Sequence, residues 1–194
     1  MANKGLIYFK DGEMIAEHGE ARVYKMNREL FLEIGSGHTL CCAEGELLDY
    51  MRQISDFPKG NCLDVGLGLG IVSRYLLTFP KVTHVTTVES NIDVIKVYDK
   101  IKEEDRGLDL PYTSEKHRIL HTNGIEYAYQ TNKKYDFIFI DCYSIIDDET
   151  LPLIADMVTA CSRILSRGGR MMGWIDRQTP GPYYAAFQNI FNQY

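Results

Sequence analysis

The segment Asn61-Cys62-Leu63-Asp64-Val65-Gly66-Leu67-Gly68-Leu69-Gly70, followed by Val85-Thr86-Thr87-Val88-Glu89, constrains the fold more than any other part of the chain. An apolar strand that runs into three alternate glycines needs a tight turn. That turn opens a helix whose first N–H groups point toward the cleft beyond the strand. Glu89 stands 23 positions after Gly66, at the end of a second, β-branched run. This order suits an adenosine-containing ligand held at the carboxyl edge of a parallel sheet.

The remaining pattern alternates strand and helix. Strands are predicted at 62–65, 82–88, 118–121, 135–141 and 170–175, and helices at 71–78, 92–103, 150–165 and 183–191. The run Tyr135-Asp136-Phe137-Ile138-Phe139-Ile140-Asp141 has an unbroken apolar centre, as in a strand covered on both faces. Gly168-Gly169 is expected to stop the long helix before the fifth strand. Ahead of the sheet, short extended pieces at 6–9, 21–26 and 29–34 are punctuated by Asp11-Gly12 and Gly35-Ser36-Gly37, and an amphipathic helix follows at 44–54. The expected architecture is α/β: a Rossmann-like open parallel sheet covered by helices, with a small N-terminal β segment over 1–45, the main unit over 46–194 and an abbreviated C-terminal edge. That open edge, with Tyr183, Tyr184, Phe187, Ile190 and Phe191 as apolar cover, makes a homodimer one of two expected states.

At 194 residues the chain has room for one sizeable core. With 21 basic and 27 acidic residues its formal charge is -6, which argues against a broad nucleic-acid face and admits a small cationic substrate. Five cysteines, an odd number with Cys62 and Cys142 in strand-like text, speak for a reducing cytoplasm rather than a disulfide framework. No closely spaced Cys/His set proposes a metal, and no run has the apolar length to span a bilayer.

Asp64 narrows the ligand. A carboxylate beside the turn opposes a pyrophosphate and suits the ammonium of a methionyl group. In these residues the chain resembles the class I S-adenosylmethionine-dependent methyltransferase fold, over about 61–174. The resemblance implies a cofactor across the carboxyl ends of the strands, held at the glycine motif Gly66, Gly68 and Gly70, with its amino-acid end near Asp64 and Gly66 and Glu89 accepting from the ribose hydroxyls. Ser90 adjoins that acid, where it and Asn91 also compete to cap the next helix. Asn123 and Gly124 fall where the adenine amino group is read, and Ile125 is a candidate wall for the purine.

Within that fold the chain is most similar to the polyamine aminopropyltransferases, the spermidine synthase group, through the small β segment, Asn123-Gly124-Ile125-Glu126-Tyr127 and the fourth strand. Asp141 matches that family's aspartate, which positions and deprotonates the nucleophile, and Tyr143 is a candidate to close the acceptor pocket or orient a substrate. Trp174 and Asp176 are expected at the same edge. The departures are Leu69, where the family has an aspartate, and Cys142-Tyr143-Ser144, where it has a second acid; Tyr50 lies near the family's tyrosine without a secure match. A leucine cannot satisfy an ammonium. The expected function is therefore methyl transfer from S-adenosyl-L-methionine to a small molecule, an amine among the candidates. The alternatives are aminopropyl transfer from decarboxylated S-adenosylmethionine, a lyase reaction, or binding without catalysis.

Overall fold

The computed structural model describes residues 12–27, 29–35, 39–54, 57–104, 110, 114–176 and 178–194, with backbone alone at 39–44, 46, 103 and 104. Strands β1 Glu13–His18, β2 Ala21–Met26, β3 Glu29–Ile34 and β4 Thr39–Ala43 form an antiparallel sheet in that order. Helix α1, Glu44–Met51, leads through a 3-10 turn at Arg52–Ile54 to β5, Gly60–Val65. Then follow α2 Ile71–Leu77, β6 Val82–Glu89, α3 Ile92–Glu104, β7 His117–His121, α4 Gly124–Gln130, β8 Tyr135–Ile140, α5 Thr150–Ser162, β9 Leu165–Gly173 and α6 Gly181–Phe191. The second sheet is parallel, in the order β7-β6-β5-β8-β9.

The two central strands explain their own sequence. Cys62, Leu63 and Val65 of β5 and Phe137, Ile138, Phe139 and Ile140 of β8 are all buried. A strand packed on both faces has no polar side to alternate with. One face of the sheet packs against α1, α2, α3 and the N-terminal sheet, the other against α4, α5 and α6. In the N-terminal sheet Ala21, Val23, Leu30 and Leu32 point inward at alternate positions and join the first of these cores.

The β1–β2 turn is fixed to α3 by polar contacts. Asp93 in the first turn of α3 accepts from the Glu20 amide at 2.9 Å and lies 3.0 Å from His18 Nδ1, while Lys100 donates to the Glu17 carbonyl at 2.5 Å. This docking holds β3, and with it Ile34, over the carboxyl end of the sheet.

Several boundaries differ from expectation. The predicted strand at 6–9 lies outside the described residues. Strands β1 and β4 and helix α4 were not anticipated: their sequences carry little periodicity, and pairing with β2 and β3 or packing on α5 decides their state. Helix α5 stops at Ser162, and β9 begins at Leu165, ahead of Gly168-Gly169. Those glycines form a bulge inside β9, where one residue of β8 stands against four of β9 between the pairs Tyr135↔Leu165 and Phe137↔Arg170 and Gly168 has φ +75°. Helix α6 turns Phe187 onto its own sheet, at 2% exposure, with the Tyr143 and Phe191 rings beside it. Among the described residues no helix is long and apolar enough to cross a membrane.

Candidate functional site

A cavity of about 660 Å³ opens where β5, β6 and β8 end, a size typical of sites for small organic ligands. Register builds it. Val65 pairs with Ile140, so Gly66 and Asp141 leave the sheet side by side, and the Asp141 amide still reaches the Val65 carbonyl at 2.8 Å. Gly66 donates to the Val88 carbonyl at 2.9 Å, has φ +105°, and would drive a Cβ into the Asp141 backbone carbonyl. Only glycine lets the turn pass between the neighbouring strands here.

Glu89, the last residue of β6, lines the cavity. Its Oε2 accepts from the Leu67 amide at 2.9 Å and its Oε1 from the Asn91 amide at 2.8 Å. The carboxylate is thus pinned by the glycine turn on one side and the start of α3 on the other, with a spare lone pair on each oxygen. Asn91 Oδ1 accepts from the Asp93 amide at 2.8 Å and takes the capping role, while the Ser90 carbonyl accepts from His121 Nε2 at 3.1 Å.

Asn123 also lines the cavity, but its side-chain oxygen is committed to α4. It accepts from the amides of Ile125 at 2.9 Å and Glu126 at 3.3 Å, which uses both lone pairs and leaves none for an adenine amino group. In this structure that oxygen is the cap of α4. A Cβ at Gly124 would stand 2.8 Å from Val65 Cγ1 and 3.0 Å from Met157 Cε, so glycine is required there by close packing. Ile125 lines the cavity together with Leu153, Ile154 and Met157, an apolar stretch of its wall.

Asp141 is the first residue beyond β8, half-buried at the cavity wall. Burial raises its carboxyl to about 7. Cys142 beside it is exposed as a residue, yet burial around its thiol, with the Asp141 charge adding, raises that group to about 12, so it stays neutral. The Tyr143 ring lines the cavity, but its hydroxyl donates to the Trp174 carbonyl at 2.8 Å and lies 3.3 Å from the Ile140 carbonyl. That fixes the ends of β8 and β9 together. Tyr50 is tied likewise, to the Gly173 carbonyl at 2.8 Å.

Of the other expected site residues, Gly68 and Ser90 line the cavity, whereas Asp64 and Gly70 do not. Asp64 is fully buried beneath the turn, where it accepts from Thr87 Oγ1 at 3.3 Å and its Oδ1 finds no partner. Burial, with the Asp141 and Glu89 charges adding, holds it well above the usual carboxylate range. Thr87 also lies 3.0 Å from Nε2 of His117, which burial lowers to about 4. Asp64 therefore stands behind the glycine turn and not on the cavity wall. β-Strand alternation explains it: Val65 takes the cavity face, and its neighbour goes behind. Gly70 sits against the Tyr98 ring, Leu69 is buried at 1% exposure, and Asp176 accepts from the Gln178 amide at 2.8 Å away from the cavity lining.

Sequence reasoning missed Ile34, Val94, Ser144, Thr150 and the α5 face. Thr150, Leu153, Ile154 and Met157 recur at helical spacing, a signal that reads equally as core. Two carboxylates, Glu89 and Asp141, face the cavity, and no lysine, arginine or histidine does among the described residues. The field favours a cation.

No protein-family model matches the chain. It is similar to a curated polyamine aminopropyltransferase of Prochlorococcus marinus (strain MIT 9312), 29% identical over 112 residues, which is 57% of this chain and 39% of that protein. The match therefore spans about two fifths of the relative's length. Among solved structures, spermidine synthase from Thermotoga maritima superposes with TM-score 0.69 at 17% identity, covering 94% of this chain and 65% of that one. A SAM-dependent methyltransferase from Agrobacterium tumefaciens gives TM-score 0.53 at 12% identity, covering 89% and 58%. The fold is that of class I S-adenosylmethionine-dependent methyltransferases, in the form seen in spermidine synthase.

Proposed function

We propose that this spermidine synthase-like chain is a transferase that binds a sulfonium nucleoside and moves its aminopropyl group to a small amine, with decarboxylated S-adenosylmethionine as donor. The observation that carries this reading is the pair of carboxylates, Glu89 and Asp141, in a cavity whose described lining holds no cationic side chain. Intact S-adenosylmethionine would bring a third carboxylate into that field; the decarboxylated compound brings only positive charge. The similarity to a polyamine aminopropyltransferase supports the same order of preference, the reverse of that drawn from Leu69 and Ser144 in the sequence.

The residues present fit such a donor. Glu89, already oriented by two backbone amides, offers one lone pair on each oxygen to a ribose diol. Ile125, Leu153, Ile154 and Met157 would supply apolar wall for the base, and the close passage of Gly66 beside Asp141 sets backbone and carboxylate side by side at the cavity wall. The bound sulfonium supplies a carbon activated for displacement by a nitrogen lone pair. Asp141, raised to about 7, is suited to take a proton from the amine near neutrality. The remaining acceleration comes from holding both partners in line within a fixed wall.

Methyl transfer from the intact cofactor is the second reading. Leu69 favours it, because its buried side chain leaves the glycine turn without a carboxylate for a donor ammonium. Incubation with each donor and a set of amines, followed by mass analysis, tests both. Methylthioadenosine with an aminopropylated amine supports the first reading; S-adenosylhomocysteine with a methylated amine replaces it with the second; methylthioadenosine without an altered amine points to lyase chemistry.

A further inference from the structure

We infer that Asp93 is a positioning residue for the cavity: its carboxylate clamps the β1–β2 turn onto the first turn of α3, and through that clamp the docking of the N-terminal sheet is coupled to donor binding. This rests on the reading that the cavity holds a sulfonium nucleoside, and it deepens that reading.

An acid in the first turn of a helix ordinarily serves the helix's own N-terminus. Asp93 serves another element. Asn91 Oδ1 accepts from the Asp93 amide at 2.8 Å and caps α3, which leaves the Asp93 carboxylate for the hairpin. Its Oδ2 takes the Glu20 amide at 2.9 Å, and its Oδ1 lies 3.0 Å from His18 Nδ1. The turn is shaped to receive it. Gly19 has φ +53°, and a Cβ there would be driven into the Asp93 carboxylate, so glycine lets the two elements meet.

Both sides of the clamp lead to the cavity. On the helix side, the Asn91 amide donates to Glu89 Oε1 at 2.8 Å, so the start of α3 carries one of the two bonds that orient that carboxylate. On the sheet side, the Glu20 carbonyl accepts from the Gly35 amide at 2.9 Å, and Gly35 follows Ile34, which lines the cavity with Glu89, Asn91 and Val94. Hydrogen bonds thus run from Glu89 through Asn91, Asp93 and Glu20 to the residue beside Ile34. Those made to a carboxylate are the stronger kind. A ligand held between Ile34 and the start of α3 binds the docked arrangement better than an undocked one, and it must tighten the docking by the same factor.

The test uses the full chain with decarboxylated S-adenosylmethionine, by calorimetry and by amide hydrogen exchange, well below the melting of each variant. Asp93→Ala and Gly19→Ala break the clamp from opposite sides. Each is expected to weaken donor binding about tenfold while kcat stays within about twofold, and the double variant is expected to bind no more than about twofold weaker than either alone. Glu20 and Gly35 do not line the cavity. Saturating donor should nevertheless slow exchange of their amides at least about tenfold in the unaltered chain, and not in Asp93→Ala. Donor affinity within about twofold in both single variants, losses that multiply in the double one, or exchange at the two amides indifferent to donor overturns the inference. Absence of donor binding by the unaltered chain defeats the transfer reading instead. Exchange without ligand then decides the clamp: a faster Gly35 amide in Asp93→Ala supports it, and an unchanged one removes it.

Discussion

The Leu67 amide donates to Glu89 Oε2 across 2.9 Å, joining the glycine turn after β5 to the acidic end of β6. Two elements separated by a whole α2 crossover are thereby locked together. Glu89→Gln keeps one acceptor oxygen and loses the other together with the charge; Glu89→Ala loses both. Donor affinity should fall about tenfold in the first and about a hundredfold in the second, with a stability loss of about 1–3 kcal/mol for the unsatisfied amides. Calorimetry and denaturant unfolding measure the two effects separately.

Asp141→Asn should lower kcat by at least about a hundredfold while donor affinity stays within about threefold of the unaltered protein. Because burial raises this carboxyl to about 7, the rate should climb with pH through that value and then level. Stability runs the other way. The folded state keeps a proton that the unfolded chain has lost, so stability is greatest below the unfolded pKa and declines as pH rises to about 7. Asp141→Asn removes that decline, so at pH 8 it should be the more stable of the two, with a higher Tm.

Asp64 shares the raised carboxyl but not the cavity. Asp64→Asn, nearly the same shape, should flatten the fall of stability with rising pH and leave donor affinity within about twofold. A tenfold loss of affinity, read by calorimetry, would return Asp64 to the binding machinery.

Tyr143→Phe removes the bond to the Trp174 carbonyl and keeps the ring. A stability cost of about 1–2 kcal/mol is expected, with the KM for the amine unchanged. A raised KM at unchanged stability would instead assign the hydroxyl to the substrate.

How much of this was legible in the sequence follows from which forces are local. The glycine turn, the β-branched run to Glu89 and the apolar centre of β8 each declare themselves within a few residues, and they point to an open parallel sheet, whose strand order comes from the structure. Orientation was less accessible. Asp64 and Val65 are neighbours in one strand, so which of them meets the cavity depends on the register with β8. Asn123 was legible as a turn former and as a ligand contact alike, and in the structure its side-chain oxygen meets the Ile125 and Glu126 amides. Thr150, Leu153, Ile154 and Met157 looked like core because a helix face that meets a ligand slot has the same apolar spacing as one that meets a sheet. The bulge at Gly168-Gly169 was read as a helix stop because glycine pairs serve both ends, and only pairing with β8 distinguishes them.

The central claim is that this cavity holds a sulfonium nucleoside through Glu89 in a field that prefers cations. Titration calorimetry with decarboxylated and intact S-adenosylmethionine, on the unaltered chain and on Glu89→Ala, tests it most directly. Saturable binding is predicted, tighter for the decarboxylated compound and weakened about a hundredfold by the substitution; absence of binding by either compound, or an affinity untouched in Glu89→Ala, would contradict it.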